Sequence, residues 1–120
     1  MEQMYVIDNA IQERFVFFFN RISESCHENA VSKGFWEQDR GDAEAIALMH
    51  SELSEALESI RSGSGPDDKI PEFSGVEAEF ADCIIRIMDT AQMRGYRVAE
   101  ALVAKMAYNR SRPYKHGKKF

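Results

Sequence analysis

The chain has 120 residues, 44% hydrophobic and 29% charged, which excludes a largely disordered protein and predicts one domain spanning residues 1–120. Its net charge of −5 is unevenly spread, because residues 105–120 hold six Lys/Arg and no acid. The remaining acidic body disfavours general binding to nucleic acid. The longest apolar run, Phe15 to Phe19, is too short to span a membrane. With no segment of signal-peptide type, the sequence predicts a cytoplasmic protein.

Helical periodicity predicts an all-α protein, a four-helix bundle with mostly short links. The first helix is predicted from about Met4 to about Val31, and Gly34 ends it. The aromatic side chains of Phe17 and Phe19 widen its apolar stripe beyond one face. This excess of apolar surface indicates contact with a partner subunit.

The second helix is predicted to have Asp42 as its N-cap and to stop at Gly63. Its apolar residues, expected to face the core, are Ala45, Ile46, Met49, Leu53, Ala56, Leu57 and Ile60. The segment SGSGPDDKIPEFSG, residues 62–75, then concentrates Gly, Pro, Ser and Asp. We expect it to be a loop of about a dozen residues and the candidate flexible insertion.

Ser74 and Glu77 form a capping-box pattern at the start of the third helix, and Gly95 is expected to close it. A fourth helix is predicted from about Val98 to about Arg110. Pro113 marks where the basic segment leaves this helix.

Two acidic pairs stand at helical spacing, Glu52/Glu55 on the second helix and Glu79/Asp82 on the third. At about 100° per residue, the first acid of each pair lies at the edge of an apolar arc and the second about 60° further out. If both arcs are buried in one core, four carboxylates meet in one cleft. Like charges that close favour bound divalent cations. Ligands that are all oxygen indicate Mg²⁺ or Mn²⁺, although ordinary solvated helix faces are the alternative reading.

Hard cations in an acidic cleft neutralise phosphate oxygens and activate water, so we expect a polyphosphate substrate. The basic segment can bind its phosphates, because Lys105, Asn109 and Arg112 fall at i, i+4 and i+7. A solvated terminal turn is the alternative for these residues. Arg86, one turn after Asp82, is expected to pair with that acid or to contact a phosphate.

Trp36 lies in the loop before the second helix and is the candidate for stacking on a base. The other reading is a core or interface anchor, since a Trp side chain buries a large apolar area in either place.

The segments SELSEALE (Ser51–Glu58), EAEFAD (Glu77–Asp82) and KMAYNRSRPYKHGKK (Lys105–Lys119) follow one another in this order. Together they resemble the signature of the MazG-like family of all-α nucleoside triphosphate pyrophosphohydrolases, over roughly residues 30–119. One departure is that Phe80 and Ala81 precede Asp82, where the family often has a Gly directly before the Asp.

The resemblance implies hydrolysis of a nucleoside triphosphate, such as dGTP, to the monophosphate and pyrophosphate, with two or more Mg²⁺ or Mn²⁺ ions. The metal would be held by the two acidic pairs, Glu52/Glu55 and Glu79/Asp82. Glu55 and Asp82 would share the activation of water. A homodimer or homotetramer is also implied, in which helices from different chains complete the site. Its phosphate-binding residues would be Lys105, Asn109, Arg112, Lys115 and Lys118.

Small stand-alone relatives of this family occur in bacteria and their viruses, so the resemblance implies a bacterial cytoplasm or that of a host cell. Two other functions stay open on the sequence: a helical acidic interaction module without catalysis, and a related all-α phosphohydrolase acting on another nucleotide. Neither alternative includes a membrane or a nucleic-acid partner.

Overall fold

The computed structural model describes residues 6–120, and this part of the chain is all-helical, without a β-strand. The helices are α1 (Asn9–Ser32), α2 (Asp42–Arg61), α3 (Gly75–Arg94) and α4 (Val98–Arg110), and a short 3-10 helix, Tyr114–Gly117, follows. The predicted all-α class is therefore confirmed. None of the described helices combines the length and apolar character that crossing a membrane requires.

Local capping explains where two of the helices begin and end. The Ser74 side chain accepts a hydrogen bond from Glu77 N, and Glu77 reaches back to Ser74 N, so the predicted capping box is present. Gly95 takes the left-handed conformation that ends α3, with φ of 71°. The predicted start of α1 at Met4 lies outside the described residues. The helix begins at Asn9, after Asp8 as N-cap.

The predicted role of Asp42 as N-cap of α2 is wrong. Gly41 holds the N-cap position, and Asp42 is the first helical residue. Its carboxylate instead accepts hydrogen bonds from Arg94 Nε at 2.9 Å and from the Tyr96 hydroxyl. Asp42 therefore ties the start of α2 to the end of α3, a tertiary role that its position in the sequence does not reveal.

The helices pack in pairs, with α3 between α1 and α2 and with α4 resting on α1. Buried hydrophobic residues are mostly small, and they are Ala45, Ala56, Ala78, Cys83, Met88, Ala91 and Ala99. The radius of gyration is 17.0 Å, whereas a compact chain of this length has about 14 Å. A single chain is thus open, and within residues 6–120 the helices do not enclose a core of large side chains.

The large apolar side chains of α2 are exposed in the single chain, contrary to the predicted burial, whereas its alanines Ala45 and Ala56 are buried as predicted. Ile46, Leu53, Leu57 and Ile60 each keep about half of their surface in contact with solvent. The buried face of α2 also carries Glu52, which lies between these two alanines in the sequence. Because alanine side chains are short, α2 and α3 can approach closely along this face, and Glu52 lies inside their contact rather than at its edge.

Candidate metal centre

Three of the four predicted metal ligands meet between α2 and α3. Glu52 and Glu55 come from α2 and Glu79 from α3, and each offers a carboxylate oxygen within 4.8 Å of the others. Glu52 is buried, Glu79 is half-buried and Glu55 is exposed. The spacing of three residues places both α2 carboxylates on the side that faces α3. The cluster therefore has an inner end at Glu52 and an open end at Glu55.

Asp82, the fourth predicted ligand, lies beside this group rather than within it. Its side chain lines the same cleft, one turn along α3 from Glu79, and it is exposed. Partial burial raises the pKa of Asp82, and the nearby negative charge of Glu52 raises that pKa further. Asp82 thus shares the electrostatic environment of the cluster without touching all of its members.

The crowding of carboxylates changes the protonation of Glu79. Its proximity to Glu52, its desolvation and the charge of Glu55 raise the pKa of Glu79 from 4.5 to about 8. Burial alone would raise the pKa of Glu52, but hydrogen bonding with Glu79 and Arg86 outweighs burial, so that pKa is lowered. At neutral pH, the cluster therefore combines a protonated Glu79 with an ionised Glu52.

The cluster fits a hard divalent cation in its donor chemistry. All donors are carboxylate oxygens, the ligands that Mg²⁺ and Mn²⁺ prefer. Glu79 Oε2 is buried and has no hydrogen-bond partner among the described residues. A buried oxygen without a hydrogen-bond partner lowers the stability of the fold. Glu79 also holds a proton at neutral pH because no positive charge in the described part of the chain lies close enough to neutralise its carboxylate. A cation bound by Glu52, Glu55 and Glu79 would give the buried oxygen a partner and would let Glu79 ionise.

Arg86 pairs with Glu52 and not, as predicted, with Asp82. Arg86 Nε lies 3.0 Å from Glu52 Oε1 in a bond that crosses from α3 to α2. The prediction considered only neighbours on the same helix. The close approach of α2 and α3 places a buried carboxylate within reach of Arg86, and a buried acid needs a partner more than the exposed Asp82 does.

The cluster opens into a cleft of about 420 Å³. Other charged residues lining it are Arg40, Lys69, Arg86 and Asp89, and Phe35 is its aromatic residue. Sequence reasoning did not select Arg40, Lys69 or Phe35, because each stands alone in a loop with no repeated spacing.

The loop that carries Lys69, predicted as a flexible insertion, is closed by its own hydrogen bonds. The Asp67 carboxylate accepts from Lys69 N and Ile70 N, both at 2.9 Å. Asp67 N also donates to Phe73 O, at 2.8 Å. These bonds form a compact turn of the kind that an Asp side chain favours. They hold the backbone of Lys69 in a defined position at the cleft.

Trp36 is held by Asp89 beside the cleft. Its Nε1 donates to both carboxylate oxygens of Asp89, at 2.8 and 3.1 Å, and His27 Nδ1 lies 2.8 Å from Asp89 Oδ1. The ring centroids of His27 and Trp36 are 5.7 Å apart, and the ring planes are inclined at 64° in an edge-to-face contact. Since its N–H is already satisfied, Trp36 has the geometry of an anchor for its loop. Phe35, which is 55% exposed, is the neighbouring aromatic that lines the cleft.

The predicted phosphate-binding residues lie elsewhere in the single chain. Lys105 Nζ and Arg112 Cζ are 5.2 and 5.5 Å from the centre of the Tyr108 ring. The α4 helix rests on α1, and α4 ends at Arg110, before Arg112. Among the described residues, the side chains lining the acidic cleft do not include Lys105, Asn109, Arg112, Lys115 or Lys118.

Comparison of the chain with protein-family models, with curated proteins and with solved structures found no match.

Proposed function

We propose that this protein is a metal-dependent pyrophosphohydrolase that converts a nucleoside triphosphate, such as dGTP, to the monophosphate and pyrophosphate. The observation that carries the proposal is the meeting of Glu52, Glu55 and Glu79 from two helices, with one buried oxygen left without a partner. An acidic cluster of this kind is costly for folding, because its charges repel and one of its acids stays protonated. Binding of a divalent cation is a function that offsets this cost.

Mg²⁺ or Mn²⁺, when bound, neutralises phosphate oxygens and lowers the pKa of a coordinated water. In the proposed reaction, water attacks the α-phosphorus, the bond from that phosphorus to the bridging oxygen breaks, and pyrophosphate leaves. Glu55 and Asp82 are both exposed at the cleft, and we propose that they share the activation of the attacking water. Glu52 and Glu79 lie deeper and serve to hold the metal.

The cleft also offers groups for the rest of the nucleotide. Arg40 and Lys69 provide positive charge near the carboxylates, which suits a polyphosphate chain. For the base, the aromatic loop offers the exposed ring of Phe35, while Trp36 keeps that loop in place through Asp89. We propose that the base packs against this loop. We also propose that the reaction takes place in the cytoplasm, where nucleoside triphosphates are found.

We propose that the working form is a homodimer or homotetramer. Exposed apolar side chains cover faces of three helices: Phe17 and Phe18 on α1, Leu53 and Leu57 on α2, and Phe80 on α3. Large apolar side chains exposed on three helices of one chain favour burial in an interface. In such an assembly, the basic residues of one chain would reach the cleft of another, and these are Lys105, Asn109, Arg112, Lys115 and Lys118.

A panel of ribo- and deoxynucleoside triphosphates with Mg²⁺ or Mn²⁺, followed by chromatography of the products, tests the reaction. Monophosphate plus pyrophosphate supports it, whereas diphosphate plus orthophosphate contradicts attack at the α-phosphorus. Glu55→Gln and Asp82→Asn should each abolish turnover while leaving the fold intact. Glu58→Gln, on the exposed side of α2, is the matched control and should keep full activity.

An acidic interaction module is the competing function. Melting the protein with and without millimolar Mg²⁺ or Mn²⁺ separates the two functions, because a cation that binds the folded chain raises its melting midpoint by mass action. No change in midpoint with millimolar Mg²⁺ or Mn²⁺, together with no product from any nucleotide, would favour the interaction module.

A further inference from the structure

Arg86 is the cation that is bonded to the acidic cluster itself. Its Nε donates to Glu52 Oε1 at 3.0 Å, and the Glu52 side chain is 9% exposed while that of Arg86 is 34% exposed. The other two cations of the cleft are engaged differently: Arg40 lies 3.6 Å from Glu44, and the Lys69 side chain makes no hydrogen bond to the cluster among the described residues. Arg86 therefore supplies the local neutralising charge.

The register of α3 places Arg86 beside the proposed ligands. Glu79, Asp82 and Arg86 follow at spacings of three and four residues, so they lie along one face of the helix. All three line the same cleft. A positive side chain on the ligand-bearing face is unexpected in a site that only collects cations, since it repels the metal that the carboxylates attract.

Arg86 uses only part of its hydrogen-bonding capacity in this position. It contacts Glu52 through Nε, and its two terminal nitrogens make no hydrogen bond with any described residue. Those terminal nitrogens are the groups that bind phosphate oxygens in pairs. Because the side chain is one-third exposed to the cleft, the unused end of the guanidinium remains available to a bound anion.

We propose that Arg86 is a positioning residue that exchanges partners: it holds Glu52 when the centre lacks metal, and it releases Glu52 to bind a phosphate when the metal–nucleotide complex enters. The inference rests on the proposed function, because it requires metal at Glu52. The guanidinium occupies Glu52 Oε1, so a metal bound by the same carboxylate competes with Arg86 for its negative charge. Arg86 therefore weakens binding of the bare metal, and a nucleotide that draws Arg86 away restores it, which makes metal and nucleotide bind cooperatively.

Calorimetric titration of Mn²⁺ into the metal-free protein tests this exchange without turnover. Each protein is titrated first without nucleotide and then in the presence of a nucleoside triphosphate analogue that carries a non-hydrolysable α,β-methylene bridge. Arg86→Met removes the charge but keeps an apolar stem, and we expect it to bind bare Mn²⁺ about tenfold more tightly. The gain in Mn²⁺ affinity on adding the analogue, present in the native protein, should be lost in this variant.

Matched variants separate charge from geometry. Arg61→Met removes the same charge from an exposed position on α2 and should leave both titrations unchanged. Arg86→Lys keeps the charge but loses the paired donors, so bare Mn²⁺ should bind as in the native protein while cooperativity falls. If Arg86→Met does not fold, Arg86→Gln replaces it. If the folded neutral variant binds bare Mn²⁺ no more tightly than the native protein does, the inference is wrong.

Glu52→Gln distinguishes this inference from the proposed function. If Glu52→Gln abolishes Mn²⁺ binding but neutral Arg86 variants bind as the native protein does, the metal centre stands and the exchange by Arg86 is wrong. If Glu52→Gln has no effect on Mn²⁺ binding either, the proposed metal centre itself is refuted.

Discussion

Replacement of Glu79 by Gln should change how the stability of the metal-free protein depends on pH. The raised pKa of Glu79 means that folding favours its protonated form. The stabilising contribution is therefore complete below pH 4.5 and is lost as the pH rises through about 8. Gln resembles the protonated acid at every pH, so Glu79→Gln should not lose stability in this range.

The structure sets the size of the effect. A rise in pKa from 4.5 to about 8 corresponds to roughly 5 kcal/mol at about 1.4 kcal/mol per pKa unit. Glu79 is only half-buried, so solvent screening reduces this figure, and we expect about 1–2 kcal/mol. For a chain of this size, that is a change in melting temperature of about 4–8 °C.

The assay is thermal unfolding in a chelating buffer at intervals from pH 5 to pH 9. The melting temperature of the native protein should fall across this range, that of Glu79→Gln should stay level, and Glu58→Gln should follow the native protein. Millimolar Mg²⁺ at pH 8 should restore the native protein, because the cation replaces the proton. Equal slopes for the native protein and Glu79→Gln would refute the electrostatic account of the cluster.

Trp36→Phe removes the two hydrogen bonds to Asp89 and should lower the free energy of unfolding by about 1–3 kcal/mol in urea titration, since Asp89 loses a donor. A loss below about 0.5 kcal/mol would mean that the indole does not anchor its loop. Leu57→Asp charges the exposed stripe of α2 and should shift the proposed oligomer toward monomer in light scattering. An unchanged mass would exclude that stripe from the interface. Lys69→Met should raise KM for the nucleotide several-fold at an unchanged melting temperature, because its side chain lines the cleft without a bond to hold the fold. An unchanged KM would remove Lys69 from the substrate site.

Features that depend on a few neighbouring residues were predictable. The capping box of Ser74 and Glu77 and the left-handed Gly95 follow from local hydrogen bonding and backbone freedom. The spacing of Glu52 and Glu55 likewise placed both on one side of a helix, and they do meet Glu79 in the structure. The all-oxygen character of the candidate ligands followed from the residue types alone.

Features that depend on how far apart two helices lie were not predictable. The pairing of Arg86 with Glu52 arises because alanines such as Ala56 let α2 and α3 approach, which draws Glu52 into their contact. Asp42 shows the same limit, because its preference for an N-cap was outweighed by hydrogen bonds from Arg94 and Tyr96.

The sequence by itself determined the helical class, the ends of α3 and the presence of two acidic pairs, because each depends on contacts within one or two turns. Only the tertiary structure decided which acids touch, that Glu79 stays protonated, and that Arg86 sits on Glu52. The physical reason is that burial and charge repulsion depend on distances between helices. Helical periodicity predicts only the direction in which each side chain points from its own helix.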